Sequence, residues 1–168
     1  MAQDTIALGM IEVDVSGFFT THHRFETTSG LWGELTLPAF SNYATFQTPS
    51  GHDLLLRKVH WLGSAHEASE NGIVRGTADR RGAFDRDMVL WFDGQECLLQ
   101  AAGLLNQGWY LVDYMGYQVL EVQPRGLLRQ GAYLKLFDLL DVGLVAFTYY
   151  LVHVRWQEDA AVVAATAS

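Results

Sequence analysis

The chain has 168 residues, a length that fits one domain with a core of its own. Apolar residues make up 49% and charged residues 18%, which excludes a disordered chain. Eleven basic against nineteen acidic side chains give a net charge of −8, the wrong sign for a whole-surface nucleic-acid binder, and the lone Cys97 excludes both a disulfide framework and a cysteine-only zinc site.

The chain opens Met1-Ala2-Gln3-Asp4, and its first basic residue is Arg24. No positive segment precedes an apolar stretch, so no secretory signal is expected. With a single thiol, the expected compartment is a reducing cytoplasm. Residues 12–17 (Glu-Val-Asp-Val-Ser-Gly) match the first half of a calcium loop in outline. The twelfth position of that loop is His23, where a bidentate Glu is required, so the segment reads as a hairpin turn. His22 and His23 are neighbours and point to opposite faces of a strand, so they cannot chelate one ion together. They are expected at the surface, as are His60 and His66.

From residue 31 onward, short apolar runs alternate with turns. Residues 31–37 form a predicted strand ending at Pro38. Residues 43–48 and 52–62 flank Thr48-Pro49-Ser50-Gly51, where Pro presets φ and Gly accepts positive φ. Residues 72–78 form another short strand, followed by a loop at Asp79-Arg80-Arg81-Gly82. Residues 88–92 and 96–101 flank Asp93-Gly94, the strongest hairpin signal in the chain. Cys97 lies in the second of these strands beside Glu96, with no base near it, and reads as a small buried hydrophobe. Residues 109–112 and 117–122 flank Asp113-Tyr114-Met115-Gly116. Residues 128–136 follow a Pro124-Arg125-Gly126 turn. Strands spaced in this way, with no helical pattern between them, predict an all-β sandwich or barrel.

Residues 139–156 break the rhythm. Eighteen residues without Pro or a turn dipeptide are long for a strand and normal for a helix. The uncharged stretch 142–154 would be about 20 Å long as a helix, short of a hydrocarbon core of about 30 Å. A helix that is apolar all round must be enclosed, and only β-sheet is available to enclose it. The predicted fold is therefore a single all-β domain over residues 1–156, an antiparallel barrel closed or nearly closed around a helix at about 139–156. The tail at 157–168 is Ala-rich, either a helix extension or a frayed end. His153, Tyr149 and Tyr150 lie on this helix and need hydrogen-bonding partners inside the barrel.

This layout resembles the superfamily of tubby C-terminal domains, LURP-one-related proteins and phospholipid scramblases. The carrying residues are strand–turn–strand units such as residues 109–120 (Trp-Tyr-Leu-Val-Asp-Tyr-Met-Gly-Tyr-Gln-Val-Leu), followed by the apolar segment 142–156. The resemblance spans residues 22–156 and implies a closed barrel threaded by a C-terminal helix. It also implies lipid binding at a membrane interface, as tubby domains bind phosphoinositide head groups through a basic pocket. That pocket does not map onto this chain residue by residue.

The densest basic stretch contains Arg75, Arg80, Arg81 and Arg86, interleaved with Asp79, Asp85 and Asp87. Paired guanidiniums on a loop clamp phosphate well, while the acids favour local salt bridges. These four arginines are the candidate anion or lipid head-group residues, with Arg125 and Arg129 next. No serine-nucleophile elbow, phosphate-binding glycine loop or zinc spacing is present, and no metal or cofactor is expected. Asp85, Asp87 and Asp93 read as turn carboxylates. The leading expectation is a monomeric, non-enzymatic binding module for anionic phospholipid. A soluble protein-interaction domain is the alternative, and a small enzyme with a barrel-mouth pocket ranks third.

Overall fold

A computed structural model describes residues 5–6, 9–83, 85–103, 107–126 and 130–167. The first strands are β1 (Thr5–Ile6), β2 (Gly9–Ser16), β3 (Thr20–Thr27), β4 (Gly30–Pro38), β5 (Tyr43–Gln47), β6 (Asp53–Lys58) and β7 (His66–Glu70). Then come β8 (Ile73–Arg80), β9 (Met88–Phe92), β10 (Gln95–Ala101), β11 (Trp109–Asp113), β12 (Gln118–Pro124), β13 (Gly131–Leu136) and β14 (Leu140–Asp141). One helix, α1 (Val142–Thr166), follows.

Strands β2 to β13 form a closed antiparallel barrel in which each strand pairs with its neighbours in sequence. The ring is sealed by β13 against β2, with Leu134 opposite Ile11 and Ala132 opposite Val13. Register shifts at Phe25/Glu26, Ala68/Ser69 and Leu111/Val112 interrupt the ladder, and such bulges sharpen the bend that closure requires. Asp93-Gly94 turns the chain with both residues at positive φ, 47° and 80°, as a two-residue hairpin demands.

The inside of the barrel is apolar. Val13, Phe25, Leu35, Phe46, Leu54, Leu56, Leu90, Leu99 and Leu111 are fully buried. They meet Val145, Ala146, Phe147, Tyr149 and Leu151 of α1. Two glycines make room for the Phe92 ring. A Cβ on Gly76 of β8 would lie 2.6 Å from the Phe92 ring, and one on Gly143 of α1 would lie 2.8 Å from the same ring. Outward positions on the same strands carry Glu12, Asp14, Arg24, Glu34, Arg57 and Glu67, so charge faces outward and hydrocarbon inward. Among the described residues no helix is long and apolar enough to cross a membrane.

Two sequence expectations need adjustment, and an alternative left open for the tail is decided. The helix begins at Val142 rather than 139, because Leu140 and Asp141 pair with β1 as a short strand and Asp141 then caps α1. It runs to Thr166, so the Ala-rich tail is a helix extension, exposed from residue 160 onward. Residues 12–16 are strand, not turn; the hairpin bend follows them, at Gly17 to Phe19.

Topology gives the barrel two distinct ends. At the cap end α1 starts, beside the β7–β8 and β9–β10 turns. At the exit end α1 leaves, among the β2–β3, β4–β5, β6–β7 and β8–β9 loops. Ion pairs mark both ends: Arg75 with Asp141 at the first, Arg80 with Glu158 and Arg86 with Asp159 at the second.

Candidate functional site

The candidate arginines do not form one patch. Arg75 lies at the cap end, where its guanidinium donates to Glu70 at 2.8 Å, to Asp93 and to Asp141 at 3.0 Å. It also sits over the Phe92 ring at 5.0 Å. The hydrogen bonds to Asp93 and Asp141 hold its pKa above the ordinary arginine value. Three carboxylates around one cation leave no capacity for an external anion, so Arg75 fastens the start of α1 to the wall.

Arg80 and Arg86 lie at the exit end and are held by α1. Arg80 donates to Glu158 at 3.0 Å, and Glu158 also accepts from Arg155 at 2.7 Å. Arg86 donates to Asp159 at 2.8 Å and covers the buried Trp109 at 5.6 Å. Arg81 is exposed and has no ion-pair partner among the described residues. Arg125 is paired outside the wall with Glu12 at 2.8 Å and with Asp14, and it lies 5.9 Å from the Tyr133 ring. Arg129 lies outside the described residues. Asp85 serves its own loop, its Oδ1 accepting from the Asp87 amide at 3.2 Å, and Asp87 ties the loop to the end of β10, its Oδ1 accepting from the Ala101 amide at 3.2 Å.

The exit end also collects exposed apolar side chains. Phe18 and Phe19 occupy the β2–β3 turn, Phe40 the β4–β5 turn, and Trp61 and Leu62 the β6–β7 loop. Phe40 is fully exposed and sits at φ 59°, a left-handed conformation that costs a bulky residue energy. Val162 and Val163 on the projecting end of α1 are exposed as well.

Beneath these loops, between α1 and the wall, lies a cavity of about 340 Å³. Apolar residues Phe18, Phe19, Leu37 and Phe40 line it together with the polar Lys58, His66 and Tyr150. Lys58 and His66 are register partners across β6 and β7, so their side chains leave the sheet on the same face. That face is the inner one, since Leu54 and Leu56 precede Lys58 on it. Lys58 has no ion-pair partner among the described residues.

The histidines divide differently from the sequence expectation. His22 points outward and meets Glu34 at 2.9 Å. His23 points inward and is fully buried, with Tyr149 Oη at 2.7 Å from Nδ1 and Thr21 Oγ1 at 3.2 Å from Nε2. His66 is also buried, not at the surface: its Nδ1 donates to the Ser64 carbonyl at 2.8 Å. That bond leaves Nε2 as the acceptor of a neutral ring, buried and without a partner. His153 packs its ring 4.6 Å from that of His23, and its Nε2 is buried and without a partner too. Burial, with a smaller contribution from His153, lowers the His23 pKa to about 3, and burial alone lowers that of His153 to about 4. Burial also lowers the His66 pKa. Cys97 is buried, and its thiol is pushed up to about 11 chiefly by desolvation.

Sequence reasoning did not find the cavity, because its parts come from two loops, the ends of five strands and a helix far apart in the chain. One signal was present: Lys58 continues the inward parity of Leu54 and Leu56. No family model, curated protein or solved structure matches the chain.

Proposed function

We propose that the protein is a non-enzymatic binding module whose exit end rests on an anionic membrane surface. One observation carries this reading: large apolar side chains are exposed on three neighbouring loops of one barrel end, with Lys58 and Arg81 beside them. Trp61 suits the boundary between water and lipid, and Phe18, Phe19 and Phe40 suit its apolar side. Each such ring that leaves water contributes on the order of 1.5–3 kcal/mol. The net charge of −8 opposes approach to anionic lipid, so insertion of the loop tips supplies most of the affinity and the two cations select the head group. Arg80 and Arg86 hold the helix that projects from this face and contact lipid only at its edge. The layout resemblance to tubby domains and scramblases supports the same class of partner. The same apolar loops also fit a protein partner, which is the second reading.

Flotation with neutral and phosphoinositide-containing vesicles, at low and physiological salt, separates the two. Wild-type protein is expected to float with the anionic vesicles, and less so at high salt. Phe18→Ser with Phe40→Ser abolishes flotation, and Arg81→Glu weakens it several-fold. No flotation under any condition overturns the membrane reading and leaves the protein-partner reading.

A further inference from the structure

The outer wall of the barrel is not uniform. On β3, β4, β6 and β7 the outward charges answer one another: Arg24 with Glu26 at 3.4 Å, His22 with Glu34 at 2.9 Å, and Arg57 with Glu67 at 2.6 Å. The sector from β11 through β12 and β13 to β2 differs. Met10, Tyr133 and Phe137 are exposed there, and Tyr114, Met115 and Tyr117 stand exposed at its cap-end edge, on the β11–β12 turn. A shallow groove of about 400 Å³ lies between Met10, Tyr133, Lys135, Glu121 and Gln123, and its surface is almost entirely hydrocarbon. Lys135 has no ion-pair partner among the described residues, and its ammonium lies 5.1 Å from the centre of the Phe137 ring. Glu121 accepts from Gln123 at 2.8 Å and likewise has no cationic partner among the described residues.

A contiguous apolar patch on a folded wall marks a contact surface. Half-exposed side chains of this size offer roughly 100 Å² each, so with Lys135 and Gln118 they approach the roughly 800 Å² per partner of a standard interface. Register identifies the occupant. Lys135 and Glu121 are cross-strand partners on β13 and β12, and Met10 and Tyr110 flank them at the same height on β2 and β11. In a two-fold contact each residue meets the position that the axis carries onto it. An axis along the strands, between β12 and β13, sets Lys135 of each copy against Glu121 of the other, and Met10 against Tyr110. Phe137, whose amide donates to the Val119 carbonyl, then meets the start of β12 beside Tyr117. An axis across the strands at the same point would set Lys135 against Lys135. We propose that this sector joins two copies of the chain side by side, with Lys135 of each paired to Glu121 of the other and both exit ends facing the same way. The dimer replaces the expectation of a monomer.

This inference does not rest on the membrane reading, because the dimer forms in solution without vesicles. Sedimentation of the full chain over a concentration series reaching the millimolar range tests it. The modest area leads to an expected dissociation constant in the micromolar range. Lys135→Glu and Glu121→Lys each set like charges face to face, and each is expected to weaken the dimer about tenfold or more. Both positions are on the outer wall, and an unchanged melting temperature shows that the variants are folded. Mixing the two variants is expected to restore association, because opposite charges then meet at both contacts. Phe18→Ser with Phe40→Ser, at the exit end, leaves the dimer as it was while abolishing vesicle flotation. A wild-type chain that stays monomeric throughout the series overturns the proposal. So does a dimer that is indifferent to both charge reversals, or one that the exit-end variant abolishes. Charge variants that stay apart when mixed overturn the pairing of Lys135 with Glu121.

Discussion

His23 and His153 place two imidazoles side by side in the core, one on the barrel wall and one on the helix that fills it. Either neutral tautomer of His23 satisfies both of its contacts, with Tyr149 and with Thr21. A second proton would leave a cation beside the His153 ring with no carboxylate contact among the described residues. The folded-state pKa values, about 3 for His23 and about 4 for His153, lie below the ordinary value near 6.5 that applies to the unfolded chain. Above pH 6.5 neither state takes up the proton, and these groups have no effect on stability. As the pH falls from about 6.5 toward 4, the unfolded state gains protons that the folded state refuses. Stability then falls by about 1.4 kcal/mol per pH unit for each histidine. Urea denaturation at a series of pH values is expected to show this slope, and His153→Leu to reduce it by the share of one histidine. A slope unchanged in the variant would mean that His153 titrates normally in the fold.

The cap of α1 shows how one residue connects an element to its surroundings. Asp141 Oδ1 accepts from the Gly143 amide at 2.7 Å and from the Leu144 amide at 3.4 Å, while Oδ2 meets Arg75 at 3.0 Å. Asp141→Asn preserves the cap and gives up the charge, whereas Asp141→Ala gives up both. The alanine variant is expected to lose about 0.5–2 kcal/mol for the cap alone and the asparagine variant less, as read from thermal melts of both. Equal losses would assign the whole effect to the ion pair. At this scale the strands were legible wherever a turn residue with a defined φ sat between apolar runs, as at Asp93-Gly94 and residues 113–116. Strands β3 and β7 were not legible. Their inward positions are Thr21, His23 and Phe25 in one and His66, Ala68 and Glu70 in the other, so the apolar alternation is broken by polar or small residues. The arginine patch failed for a related reason. Arg75 and Arg80 look adjacent in sequence, but five residues of strand separate them by roughly 17 Å, enough to place them at opposite ends of the barrel.

At the scale of the whole molecule, the distinctive fact is closure. The twelve strands β2 to β13 leave no free edge, and the residues that would make α1 a membrane candidate are the ones the barrel surrounds. Outward charges and an inward hydrocarbon core are the reverse of a barrel that faces lipid along its length, so any membrane contact belongs to an end and not to the wall. Closure also determines how the molecule opens. Strand follows strand around the ring until β13 meets β2, so the helix leaves either by parting the wall around it or by sliding out through an end, and the ion pairs at both ends oppose the second route. Its amides from 142 to 156 are therefore expected to exchange only through global unfolding, with protection matching the free energy from denaturant titration. Amides from 160 to 167 belong to the same helix but stand clear of the barrel, and they are expected to exchange orders of magnitude faster. Mass-spectrometric hydrogen exchange on the intact chain distinguishes the two segments directly. Faster exchange in 142–156 than in β2 and β13 would show that the helix slides out of a barrel that stays closed. In that case the ion pairs of Arg75 at one end and of Arg80 and Arg86 at the other would be latches on a moving part rather than fixed joints.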